Sequence, residues 1–251
     1  MTKELQTHTV YLIGIGGIGM SALARFFRLQ GKEVSGYDRN PSPLTRQLEA
    51  EGIPVHYTDD PAYIPCDTGL VIYTPAIPED NMELRYCRDA GLRIRKRAEV
   101  LGMIASEYRC IAIAGTHGKT SISSMIAHIF RHNDHPVTAL IGGVMTNYDT
   151  NMLYDKQSTY LVAEADEYDR SFLKLDPYYA LVSALAADHL DIYGSEDDMR
   201  ASFSDFIGQT HPEGSVLLHD SIAGKLISPE NTEYYGSHDN SFVRIASVDV
   251  R

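Results

Sequence analysis

Short runs of β-branched, aliphatic and aromatic residues alternate along the chain with longer stretches whose apolar positions recur at helical spacing. The runs are Thr9 to Ile13, Glu33 to Tyr37, Pro54 to Tyr57, Leu70 to Tyr73, Leu92 to Ile94, Cys110 to Ala114, Val137 to Ile141, Tyr160 to Ala163, Ala180 to Leu185 and Val216 to His219. A parallel strand is reached only by a crossover, so strands alternating with helices predict parallel sheets covered by helices on their faces. Helix punctuation agrees: Ser42-Pro43 reads as an N-cap followed by proline in the first turn, and Gly31, Gly52 and Gly91 stand where helices should stop. From Ser228 onward the pattern turns polar and no closing helix is predicted. The predicted class is α/β.

Two of the predicted strands run directly into glycine-bearing turns that open helices. In the first, Val10-Tyr11-Leu12-Ile13 leads into Gly14-Ile15-Gly16-Gly17-Ile18-Gly19, followed by a helix over Met20 to Leu29. This is G-x-G-x-x-G in its required context: Gly14 permits the tight turn, Gly16 lets the backbone approach a pyrophosphate, and Gly19 allows close helix packing. A branched side chain at Gly16 is expected to block that approach and leave the fold largely intact. Asp38, at the end of the next strand, is placed to accept hydrogen bonds from a ribose or a base edge. Taken alone, this half of the chain reads as a nicotinamide or flavin dinucleotide site, or as a turn with no ligand.

The second device is Gly115-Thr116-His117-Gly118-Lys119-Thr120-Ser121, between the strand that ends at Ala114 and a helix over Ile122 to His132. It is a shortened phosphate loop, with Ile113 where the full pattern has another glycine. Its working parts are present. Consecutive N–H groups at a helix N-terminus can cradle phosphates, Lys119 can reach the β- and γ-phosphates of ATP, and the Thr120 hydroxyl can ligate Mg²⁺. Downstream, two successive strands end in acids: Glu164-Ala165-Asp166-Glu167-Tyr168-Asp169, and then Asp188-His189-Leu190-Asp191. Acids at the carboxyl edge of an open sheet stand where ligands bind, and oxygen donors suit Mg²⁺. One domain rarely needs both devices. A boundary at the polar segment Ser106 to Arg109 therefore divides the chain into residues 1–108, a Rossmann-like parallel-sheet domain, and residues 109–251, an incomplete P-loop α/β domain.

Charge narrows the partners. Lys and Arg number 22 against 34 Asp and Glu, a net charge of −12, which is the wrong sign for a phosphate backbone or an anionic membrane. No nucleic-acid partner is expected, and any phosphate must be held by local devices. With 43% hydrophobic residues there is enough apolar side chain for packed cores. No apolar run approaches a membrane span or a signal-peptide core, so a cytoplasmic protein without membrane contact is expected. Cys66, Cys87 and Cys110 fit no metal or redox spacing and read as core thiols.

In order and spacing, Gly14 to Ser21, Gly115 to Thr120, Glu164 to Glu167 and Asp188 to Asp191 resemble the Mur ligases of peptidoglycan synthesis, across essentially the whole chain. Asp38 to Thr45 also looks like the uridine-side segment of that family. The resemblance implies ATP-dependent amide synthesis: the carboxylate of UDP-N-acetylmuramate takes the γ-phosphoryl group, and the amine of L-alanine then displaces phosphate. Carried over by position, Gly14, Gly16, Gly17, Ile18, Gly19, Met20, Ser21 and Asp38 would bind the UDP-sugar, and Gly115 to Ser121 would bind ATP. Lys119 would stabilise charge on the moving phosphoryl group, Thr120 and Glu164 would hold Mg²⁺, His189 would serve a second Mg²⁺, and His117 would lie near the reacting carboxylate. Ser183-Ala184-Leu185-Ala186-Ala187 departs from the Asn and acid that many members carry before the metal histidine. Members also continue into a further domain, so this stretch by itself is expected to bind the UDP-sugar without turnover. The rival readings are an NAD-dependent oxidoreductase and a non-catalytic nucleotide-sugar binding module.

Overall fold

A computed structural model of the chain describes residues 3–186 and 193–247. It divides into two compact units, one of residues 3–107 with 138–156, the other of residues 108–137 with 157–247. The first passage between them falls beside the expected boundary. The difference is the segment 138–156, which returns to the first unit.

The first unit is built on five parallel strands: β1 (Thr9–Ile13), β2 (Glu33–Tyr37), β3 (Val55–His56), β4 (Leu70–Tyr73) and β5 (Ile94–Lys96). Their order is β3-β2-β1-β4-β5. Every residue of β1 is buried, as a central strand covered on both faces requires. Four helices connect the strands: α1 (Ile18–Leu29), α2 (Pro43–Ala50), α3 (Met82–Asp89) and α4 (Arg97–Ala105). The chain winds one way from β1 to β2 and the other way to β4, so the turn after β1 lies at the switch point where such sheets bind ligands.

This unit also contains a hairpin that periodicity did not reveal. β7 (Thr138–Met145) pairs antiparallel with β8 (Thr150–Leu153), Leu140 opposite Met152. Tyr154 meets Phe26 of α1 edge-on at 5.8 Å between ring centres, and Asn151 is fully buried. The all-parallel expectation is corrected here: β8 is four residues long and carries two polar ones, Thr150 and Asn151, so its signal was too weak to see.

In the second unit β6 (Arg109–Ala114) is central, flanked by β9 (Tyr160–Glu164) and β10 (Tyr179–Val182), with β11 (Ser215–His219), β12 (Thr232–Gly236) and β13 (Val243–Arg244) continuing outward in parallel. α5 (Lys119–His132) follows β6 and α6 (Glu196–Gly208) precedes β11. The polar stretch after Ser228 therefore forms the last two strands on that side, β13 at the edge and the short β12 between it and β11. An edge needs little hydrophobicity, since one side of its ladder is open to water. The strand expected to reach Leu185 ends at Val182, and the residues after it have another use, described below. Cys87 and Cys110 are core thiols, but Cys66 is exposed, which corrects the expectation for that residue. No helix among the described residues is long and apolar enough to cross a membrane.

Candidate functional site

Each unit carries one candidate site, at the loop after its central strand. In the first, the backbone turns sharply at Gly14, whose φ is +84°. Most of the loop's own donors are used internally. Gly14 and Ile15 N–H donate to the Tyr37 carbonyl at 2.7 and 3.0 Å, Gly17 N–H to the Gly14 carbonyl at 3.2 Å, and Gly16 N–H to Asp38 Oδ2 at 2.7 Å. Asp38 thus holds the loop, a task the sequence reading did not give it. The donors left to meet an anion are those of the first turn of α1, where Ile18, Gly19 and Met20 have no carbonyl four residues back. Gly17 at the N-cap adds no side-chain cap.

The other residues expected to bind the UDP-sugar divide by exposure. Gly17 and Ile18 are exposed and Gly16 and Gly19 half-buried, whereas the side chains of Met20 and Ser21 are buried. The Ser21 hydroxyl donates to the Ile18 carbonyl at 2.9 Å, so its side chain supports the loop from behind instead of facing a ligand. Arg97, at the start of α4, had no sequence signal. A Cβ on Gly19 would fall 2.6 Å from its guanidinium, which puts a cation beside the glycine loop.

In the second unit the phosphate loop bends through Gly115, with φ +126°, and Gly118, with φ +83°, the latter serving as N-cap of α5. Ser183 and Ala184 pack so closely on Gly115 that a Cβ there would lie 2.9 Å from the Ala184 nitrogen. The segment after β10 holds the loop through backbone and hydroxyl groups. Thr116 N–H donates to the Ala184 carbonyl at 3.1 Å, Ala186 N–H to Thr116 Oγ1 at 3.1 Å, and the Ser183 hydroxyl to the His117 carbonyl. Of the positions that departed from the family pattern, Ala184 and Ala186 support the loop by their main chain and Ser183 by its hydroxyl.

Lys119, Thr120 and the acids that follow β9 come together beside this loop. Thr120 Oγ1 lies 3.2 Å from Glu164 Oε2, and the Ser123 hydroxyl donates to Glu164 Oε1 at 3.2 Å. Lys119 Nζ donates to both carboxylate oxygens of Glu167, at 2.8 and 2.7 Å, and to the Gly115 carbonyl at 2.7 Å. Glu167 is only 2% exposed, and its carbonyl accepts from the Tyr193 hydroxyl at 2.6 Å. The acid run announced Glu167 but not its partner. Just beyond it, Asp169 and Arg170 both take positive φ, 52° and 53°, which bends the chain away from the sheet edge. His117 and Ser121 are exposed at the mouth of the loop. Asp188, His189 and Asp191 lie outside the described residues. Thr120 and Glu164 offer a hard, partly hydrated cation two oxygen donors beside a phosphate-binding turn, a donor set that fits Mg²⁺.

Two family models together span both loops. A family model described as the Mur ligase family, catalytic domain, matches residues 9–109, and one described as the Mur ligase middle domain matches residues 113–242. The chain belongs to the Mur ligase family. Among curated Mur ligases, the UDP-N-acetylmuramate--L-alanine ligase of Cytophaga hutchinsonii is 50% identical over 218 residues, 84% of this chain and 47% of that protein. That of Flavobacterium psychrophilum is 45% identical over 240 residues, 94% of this chain and 52% of its own length. The chain thus spans about half the length of the curated relatives it matches. Among solved structures, the UDP-N-acetylmuramate-alanine ligase of Thermotoga maritima superimposes with a TM-score of 0.80 at 29% identity, over 91% of this chain and 52% of that one.

Proposed function

We propose that this chain carries the UDP-sugar site and the ATP-phosphate site of a UDP-N-acetylmuramate:L-alanine ligase, an enzyme of peptidoglycan synthesis. The observation that carries this reading is the meeting of Lys119, Thr120 and Glu164 at the carboxyl edge of the second sheet, in a family whose relatives bear that name. A dinucleotide oxidoreductase would leave this cluster without a task. In the proposed reaction the first turn of α1 and Arg97 take the UDP-sugar diphosphate, and the loop from Gly115 to Ser121 takes the phosphates of ATP. Lys119 leaves or shares its bond with Glu167 to balance charge on the γ-phosphoryl group as it moves to the sugar-linked carboxylate. L-Alanine then displaces phosphate from the acyl phosphate. Mg²⁺, held by Thr120 and Glu164, would neutralise phosphate charge, and His117 lies at the loop mouth within reach of a carboxylate brought there. The corresponding role for His189 follows from the family resemblance alone.

Isothermal titration tests the reading. The chain is expected to bind UDP-N-acetylmuramate and not NAD, and Glu164→Ala is expected to weaken whatever Mg-ATP affinity the chain has. Protein of the relatives' full length is expected to release phosphate from Mg-ATP only when L-alanine and UDP-N-acetylmuramate are both present. Micromolar NAD binding with no response to the UDP-sugar would remove the proposal.

A further inference from the structure

We infer that Asn151, on β8 of the hairpin, is a positioning residue for the diphosphate-binding turn at the start of α1. The inference rests on the proposal that this turn receives the UDP-sugar. Asn151 stands far from the glycine loop in sequence, and no motif marks it, yet its side chain is fully buried against that loop's helix. One amide hydrogen is donated to the Ile18 carbonyl at 2.7 Å and the other to Ser21 Oγ at 3.0 Å. Ser21 in turn donates to the same Ile18 carbonyl, closing a triangle around the first turn of α1. The amide oxygen accepts from Arg25 Nη1. Arg25 is 4% exposed and is itself fixed by Glu51, with Nε and Nη2 each 2.8 Å from a carboxylate oxygen.

An amide is the one uncharged side chain of this length that can donate to a carbonyl and a hydroxyl and also accept from a guanidinium. Asp would set an acceptor against the Ile18 carbonyl, and Leu would leave Arg25 and Ser21 with buried polar groups unsatisfied. The carbonyl held by Asn151 lies in the same planar peptide group as the Gly19 N–H, one of the three first-turn donors. Fixing that plane sets the direction of the Gly19 N–H and anchors the turn that carries the N–H groups of Ile18 and Met20. Preorganised donors of this kind bind an anion without a reorganisation cost at the moment of contact. Gly16 and Asp38 hold the loop from the β2 side, and Asn151 holds the helix end from the hairpin side.

The test is a titration of the 251-residue chain with UDP-N-acetylmuramate and separately with uridine, followed by amide NMR, for the unsubstituted protein and for Asn151→Ala and Ser21→Ala, with thermal melts alongside. Asn151→Ala is expected to weaken UDP-N-acetylmuramate about tenfold, the effect of one or two lost hydrogen bonds. Uridine, which has no diphosphate, should change by less than about twofold. Ser21→Ala should shift the diphosphate ligand in the same direction by a smaller factor, and it carries the test if Asn151→Ala melts below the assay temperature. Equal weakening of both ligands would make Asn151 a packing residue and overturn the inference, as would unchanged UDP-sugar affinity in a folded variant. Absence of UDP-sugar binding by the unsubstituted chain would instead overturn the ligand assignment, and this inference with it.

Discussion

Single residues at the two loops are constrained by their neighbours within the protein. At Gly16 a Cβ would fall 2.6 Å from Thr45 Cγ2 and 2.7 Å from Asp38 Oδ2. A side chain there must shift Thr45 or the Asp38 carboxylate that holds the loop, so a branched residue at this position is expected to cost stability as well as binding. Gly16→Ala should lower the melting temperature of the first unit as well as its UDP-sugar affinity; an unchanged melt would show that Thr45 and Asp38 move aside freely. At the second loop, Lys119 and Glu167 form a pair in which Glu167 is almost completely buried. Removing one partner of such a pair leaves a buried charge uncompensated, so Lys119→Met should destabilise the protein by roughly 3 kcal/mol. Adding Glu167→Gln should recover part of the loss in urea unfolding, because the unpaired charge is then gone. Additive losses in the double variant would contradict this.

Among the elements, α2 links local sequence to the first site. Ser42 accepts from Thr45 N–H at 3.1 Å and its own N–H donates to Thr45 Oγ1 at 2.8 Å, a reciprocal cap that Ser42-Pro43 announced in the sequence. Thr45 also touches the place where a Gly16 side chain would stand, so the cap supports the glycine loop as well as the helix. Ser42→Ala should lower stability by about 1 kcal/mol in urea unfolding and weaken UDP-sugar binding slightly. Replacing Ser42 with Asp, which can also cap, should restore stability. The hairpin is the opposite case. Its strands carry little local signal, and its place beside α1 is decided by Phe26, Arg25 and Ser21 on the helix it meets.

At the scale of the whole molecule, pH acts on a polar group of three in the first unit, with Tyr11 and Glu83 buried and His56 half-buried. The Tyr11 hydroxyl lies 2.6 Å from both Glu83 Oε2 and His56 Nε2, and Tyr63 stacks on His56 at 4.3 Å. Burial pushes Glu83 up to about 7, with Asp59 and Asp60 nearby adding to the effect. Burial also raises Cys87 to about 11, raises Tyr11, and lowers His56. The folded chain holds the Glu83 proton more tightly than the unfolded chain does. Its contribution to stability is therefore whole below about pH 4.5 and is lost as pH rises through about 7. A difference of that size corresponds to about 3 kcal/mol. His56 works in the other direction, so the informative measurement is the melting temperature of the native protein minus that of Glu83→Gln between pH 4.5 and 8. The difference should fall across this range, and parallel curves would exclude Glu83 as the titrating group.

The strand and helix alternation, the two glycine loops, the Ser42 cap and the acids that follow β9 were legible in the sequence, because each depends on residues within a few positions of one another. A turn, a cap or a phosphate loop is specified by its own short stretch of chain. What the tertiary structure alone decided involves partners far apart in sequence: Glu167 on Lys119, Asp38 on the Gly16 N–H, Arg97 beside Gly19, Asn151 on the first turn of α1, and Glu83 with Tyr11 and His56. Each of these side chains is polar and would read as solvent-facing in a linear pattern. Where they are buried, as Glu83, Asn151 and Glu167 are, burial is tolerated because the fold delivers a hydrogen-bonding partner to each, and the fold is a property of long-range packing.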